Sequence, residues 1–321
     1  MDLFKIFSEI EKIDGEVYER FDTRRRAFKH MAGLGKTITA ATMPALLSTM
    51  FNKAYGQTST ALTADMKAVL NLALQLEYLE FYYYDSALNT TVVPADDKPA
   101  ITIIRDDEQG HINALKGVLG ADAFPDPGRA AFDYTAGGQL GGDPLAVTAL
   151  FYGTAQSFVD TGVRAYKGGA PVLMANKPIL TAALNIHSVE ARHSSHIREY
   201  RRVLAKSNNG GDIAGGAGNM NPKSWVSLKE NDGPKPPLTA PVYGPGADIS
   251  KYPGEDNVTQ GGVNVQTNTT AYPTIPGVTL NDNLKQAAAS EAFDEPLDPA
   301  TVKSIARNFR SPIGVAKGLF A

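Results

Sequence analysis

Asp107-Glu108-Gln109-Gly110-His111 and Val189-Glu190-Ala191-Arg192-His193 carry one pattern twice, a glutamate followed three residues later by a histidine. Residues i and i+3 share one face of an α-helix, one turn apart, so each pair can aim a carboxylate and an imidazole at the same point. The chain has thirteen glutamates and five histidines (His30, His111, His187, His193 and His196) in 321 residues. At those frequencies chance supplies about 0.2 such pairs. Two are present, and their surroundings give both a helical context.

Four apolar-periodic stretches, at 63–90, 98–120, 143–167 and 176–206, read as helices. Thr63 is a cap for the first, and Asp143-Pro144 opens the third with proline in the first turn. The glycine-rich connection over 124–142 is far longer than neighbouring antiparallel helices need, so it predicts a crossover between distant helices. Register places the charged residues in the seam. Glu108 and His111 continue the stripe Ile101, Ile104, Leu115 and Val118, and Glu77 continues Leu70, Leu74, Phe81, Tyr84 and Leu88. Glu190 and His193 lie with Ile179, Ala182, Ile186, Ile197, Tyr200 and Leu204. Carboxylates inside an apolar seam cost several kcal/mol unless compensated, and a cation is the natural compensator.

Composition narrows the chemistry. With 31 basic against 34 acidic side chains, the net charge of −3 argues against nucleic acid as the main partner. The absence of cysteine excludes disulfides, thiolate metal ligands and a thiol nucleophile. A metal here is held by oxygen and imidazole, which suits iron, with manganese as the alternative.

Ferritin-like di-iron proteins take a glutamate from each of two helices and a Glu-x-x-His from each of two others. Glu77, Glu108/His111 and Glu190/His193 follow that order, and 63–206 resembles the ferritin-like superfamily. The strings Leu76-Glu77-Tyr78-Leu79-Glu80 and Thr161-Gly162-Val163-Arg164-Ala165-Tyr166 bring it nearest to the bacterial ferritin-like group that includes desiccation-related proteins. The resemblance implies an all-α four-helix bundle with a long crossover and a metal site made of Glu77, Glu108, His111, Glu190 and His193. One departure stands out. Where metal-binding relatives carry a glutamate on the third helix, the stripe Leu145, Thr148, Tyr152, Ala155, Val159, Gly162 and Tyr166 offers Val159.

Glu80, Tyr84, Gln156, Asp160 and His187 are candidates for the edge of the site. Glu80 is the alternative to Glu77 as the inward carboxylate of the first helix. Tyr84 could donate to a ligating carboxylate. Gln156 and Asp160 flank Val159 without replacing its missing carboxylate, and His187 and His196 fall off the Glu190/His193 pairing. The bland reading of Tyr82-Tyr83-Tyr84 is packing, and that of any single histidine is a buried, satisfied side chain.

The flanks differ in kind. Residues 1–56 contain Arg24-Arg25-Arg26, Phe28 and a weakly apolar run interrupted by Lys36, which resembles a twin-arginine export signal and predicts a periplasmic protein. The alternative is two amphipathic helices and a cytoplasmic location. Residues 207–321 form a Gly/Pro/Asn-rich extension ending in a short helix from Asp298-Pro299. Scattered Trp225, Tyr243, Tyr252 and Tyr272 favour a coat on the bundle over a free tail, with early proteolysis expected over 207–222.

Three functions follow from the resemblance. The first is iron binding with oxidation by dioxygen or peroxide. The second is peroxide dismutation in the manner of manganese catalase. The third is a structural or stress-protective envelope protein whose metal site has decayed, favoured by Val159 and the long C-terminal segment. No transmembrane span is expected. The resemblance leaves room for a homo-oligomer, though not for a closed ferritin shell, which the bulk of the C-terminal segment would obstruct.

Overall fold

The computed structural model describes residues 61–207, 222–267 and 281–321. The arginine-rich stretch, the expected signal over 1–56 and most of the expected cleavage zone at 207–222 lie outside them.

Four long helices make the bundle: α1 (Ala64–Leu88), α2 (Lys98–Leu119), α3 (Thr148–Leu173) and α4 (Lys177–Ser207). The Thr63 hydroxyl accepts from the Met66 N–H and caps α1 as its sequence position suggests. The helix α3 starts five residues later than Asp143-Pro144 implies. Asp143 closes a turn of its own, its carboxylate accepting from Leu145 N–H and its carbonyl from Ala146 and Val147. Asx-turn chemistry competes with a helix start for the same residue, and here the turn wins. A single bundle arises from two helix pairs, α1 on α2 and α3 on α4, joined where α1 also packs on α3. None of the described helices is long and apolar enough to cross a membrane.

The connection between α2 and α3 is the expected crossover, and it is part of the core. It buries Phe132, Tyr134, Ala136 and Leu140, and the Tyr134 hydroxyl donates to the Leu79 carbonyl at 2.9 Å. Tyr83 stacks on Phe151 at 5.1 Å and meets Tyr134 edge-on at 4.8 Å, so the tyrosine run of α1 is largely packing.

After α4 come α5 (Ala240–Tyr243), a two-stranded hairpin of β1 (Thr259–Gln260) and β2 (Val263–Asn264), and the helices α6 (Asp282–Glu291), α7 (Pro299–Arg307) and α8 (Pro312–Ala316). Asp298 caps α7 through the N–H groups of Ala300 and Thr301. This described C-terminal chain coats the bundle. Val242, Tyr243, Leu297, Val302, Phe309, Leu319 and Phe320 belong to the same hydrophobic cluster as the four long helices.

Arg164 of α3 shows how an irregular coat is held. Only 2% exposed, its guanidinium donates to the carbonyls of Val242, Gly244, Pro253, Glu295 and Pro296 and lies 2.8 Å from the Glu255 carboxylate. Five donors in a planar fork satisfy loop carbonyls that have no ladder of their own. Gly168 allows the closest approach, since a β-carbon there would stand 1.9 Å from the Leu297 carbonyl oxygen.

Because the coat covers the outside, α3 is buried at every residue from Phe151 to Arg164, and α1 at every residue from Leu74 to Glu80. That second run bears directly on the site.

Candidate metal centre

The donors come from three helices. α1 brings Glu77 and Glu80 one turn apart, α2 brings Glu108 and His111, and α4 brings Glu190 and His193. All six are 5% exposed or less. The sequence treats Glu77 and Glu80 as alternatives for the inward position, yet both are buried. The reason is the coat and crossover, which leave this part of α1 no solvent face.

One nitrogen is the focus. His111 Nδ1 lies 3.0 Å from Glu77 Oε2, 3.1 Å from Glu108 Oε2 and 3.2 Å from Glu190 Oε1. Ligand atoms of these four residues all lie within 4.8 Å of one another. A single Nδ1 carries one proton at most, so it cannot satisfy three carboxylate oxygens. Two donors at right angles, each about 2.1 Å from one cation, stand about 3.0 Å apart, which is the spacing seen here. The four residues therefore fit a small divalent cation.

His193 stands on the far side of two of them. Its Nδ1 is 3.1 Å from Glu108 Oε1 and 3.7 Å from Glu190 Oε2, and its ring centroid is 6.2 Å from that of His111. Glu108 and Glu190 thus each turn one oxygen to His111 and the other to His193. The Nδ1 of His193, Glu108 Oε1 and both Glu190 oxygens are buried without a hydrogen bond, since the short contacts among them are out of line. Buried donors and acceptors left unbonded in one cluster are groups that a water or an ion can satisfy. His193 Nε2 bonds Asp107 Oδ2 at 3.2 Å, which places a proton on Nε2 and makes Nδ1 the nitrogen turned to Glu108 and Glu190.

The same crowding moves the titrations. Burial, reinforced by Glu190 and Glu108, outweighs the pull of His111 and pushes the Glu77 carboxyl up to about 8. Burial and then Glu190 raise Glu80 well above the usual range. Burial alone would raise Glu108 too, but His193 and His111 outweigh it and hold it far below the usual range. Burial would lower both imidazoles, yet the surrounding carboxylates, Glu77 at His111 and Glu108 at His193, raise them well above theirs.

Several expected edge residues are elsewhere. Gln156 accepts from Arg201 and donates to the Tyr243 hydroxyl, while Asp160 accepts from Ser194, Tyr243 and Arg198. Both tie α3 to α4 and to Tyr243 of the coat, and neither bonds the donor cluster. The imidazole of His187 bonds the Val163 carbonyl through Nδ1, and that of His196 bonds Asp97. Tyr84 donates to no carboxylate; its buried hydroxyl has no partner. The donor to Glu77 is Tyr166 of α3, through Glu77 Oε1. Asp107 and Tyr166 shape the site from positions that the Glu-x-x-His spacing does not mark. Val159 is buried, but the α3 residue standing against the carboxylates is Gly162, one turn on.

The ferritin-like domain family matches residues 64–202. Residues 64–202 are a ferritin-like domain. Its bounds enclose α1 to α3 and most of α4, with every donor named above. Neither a curated protein nor a solved structure matches the chain.

Proposed function

We propose that the ferritin-like domain binds iron at its carboxylate–imidazole cluster and oxidises ferrous iron, with dioxygen or peroxide as electron acceptor. The observation that carries this reading is the ring of three carboxylate oxygens within 3.2 Å of His111 Nδ1, extended to His193 by Glu108 and Glu190. An all-oxygen-and-imidazole set without thiolate favours iron or manganese over softer metals.

The residues have separable tasks. His111 and His193 supply neutral nitrogen ligands, and Glu108 and Glu190 reach both positions. Tyr166 holds Glu77 in orientation through its hydroxyl, and Asp107 holds His193 in the tautomer that ligates. Bound iron supplies the one-electron chemistry. Burial keeps water from competing for the donors, and Glu77 and the imidazoles give up protons as cations enter.

The test starts with elemental analysis of protein purified without added metal, followed by ferrous iron under air. Iron retained through desalting, ferric absorbance and dioxygen uptake are expected, and all three should disappear in His111→Ala. A chain that holds neither iron nor manganese, with His111→Ala indistinguishable from it, refutes the reading. Retained manganese with peroxide-dependent dioxygen release selects the catalase-like reaction instead.

A further inference from the structure

The structure assigns Glu80 as the fourth carboxylate of the cluster, the terminal ligand of the second metal position beside His193, in the place where a third-helix glutamate is missing. This rests on the metal reading above and goes further by naming how the second position is completed.

Three observations meet at this side chain. First, Glu80 is 4% exposed, with no cation of Lys or Arg paired to it among the described residues, and its Oε2 is buried without a hydrogen bond. A carboxylate in that setting calls for an occupant. Second, the third helix makes room for it. A β-carbon on Gly162 would stand 3.4 Å from Glu190 Oε2 and 3.5 Å from Glu80 Oε1, so Gly162 leaves this side of the cluster to the carboxylates. Val159, one turn earlier, is aliphatic and fully buried. Third, the donor sets become matched. The His111 position has one imidazole, one terminal carboxylate from Glu77 and one oxygen each from Glu108 and Glu190. The His193 position has the imidazole and the second oxygens of Glu108 and Glu190, and it lacks only the terminal carboxylate.

Glu80 supplies that group from the same helix as Glu77. The i, i+3 spacing that makes each Glu-x-x-His pair also makes Glu77 and Glu80 a pair on one face of α1. Four carboxylates then balance two divalent cations, whereas three would leave a buried positive charge. Tyr84 lies a further turn along α1, and its buried hydroxyl has no hydrogen-bond partner either.

The test is stoichiometry. The parent chain, Glu80→Gln, Val159→Glu and the double variant Glu80→Gln with Gly162→Asp are loaded with manganese(II) alone, desalted and analysed. Metal per chain is read by elemental analysis and pairing by electron paramagnetic resonance. The parent should hold two ions with a spin-coupled spectrum. Glu80→Gln, which keeps the side-chain volume, should hold one ion with an uncoupled spectrum, and its far-ultraviolet circular dichroism should match the parent. A carboxylate returned from α3 by Gly162→Asp should restore the second ion; Val159→Glu should add none. Two coupled ions in Glu80→Gln overturn the assignment while leaving the metal reading intact. So does a single ion in both parent and variant. A parent that binds no manganese and no iron overturns the metal reading itself, and the assignment with it.

Discussion

Cation entry should expel protons, and the structure says how many to look for. His111 and His193 are both held protonated near neutral pH by the carboxylates around them, and each must become neutral to ligate. Glu77, pushed up to about 8, and Glu80, raised well above its usual range, carry further protons at pH 7. One proton shared by Glu77 and His111 and one on His193 set a floor of two released on filling both positions, and separate protons on all four groups set a ceiling of four. Each proton released changes the apparent binding constant tenfold per pH unit. Two protons therefore make binding about 100-fold weaker, or about 2.7 kcal/mol, for each unit of acidification. The assay is isothermal titration calorimetry of manganese(II) at pH 7 in buffers of different ionisation enthalpy, where the slope of heat against buffer enthalpy gives the proton count. Heats that do not depend on the buffer, or a count below two for a filled pair, refute the electrostatic account of the cluster.

The same groups set the stability of the metal-free protein. The folded-state values of Glu77 and both imidazoles lie above their unfolded ones, so their contribution is complete at acid pH and fades as pH rises through the folded values. Thermal melting of the metal-free chain should fall as pH rises from 4.5, the ordinary value of Glu77, to about 8, and added metal should remove that dependence. Asp107→Asn weakens the acceptor for His193 Nε2–H and should cost about 10- to 100-fold in metal affinity with little change in melting temperature. Gly168→Ala forces a β-carbon onto the Leu297 carbonyl and should destabilise the chain by about 1–3 kcal/mol in urea titration, with faster proteolysis near Leu297. If Arg25 and Arg26 direct twin-arginine export, native protein should begin near Gln57; an N-terminus of Met1 or Asp2 speaks against it.

Most of the bundle is legible in the sequence because its signals are periodic. The apolar stripes give α1, α2 and α4 to within two residues at their starts, and two Glu-x-x-His pairs locate the cluster without any coordinates. What periodicity misses is set across helices. Tyr166 reaches Glu77 from α3, and Asp107 reaches His193 on α4, contacts that no spacing within one helix encodes. An apolar stripe also presupposes a helix with an inside and an outside. Along α1 that distinction blurs at Glu77 and Glu80, because coat and crossover bury the turn all round. The aromatics announce a coat, but its path is unreadable for a related reason. Its order comes from buried arginines collecting carbonyls and carboxylates, which leaves no repeat in the residues that supply them.

Arg164 sets an order of events for a newly made chain. The helices α1 to α4 leave the ribosome well before Val242, Gly244, Pro253, Glu295 and Pro296, whose carbonyls are the acceptors of that guanidinium. Until those residues emerge, α3 carries an arginine that must stay in water, since burying it unpaired costs several kcal/mol. The bundle can collapse early but cannot close. Its last step waits for the final quarter of the chain, so a ribosome stalled before Leu297 holds an open bundle with the helix that carries Gly162 and Tyr166 still unsealed.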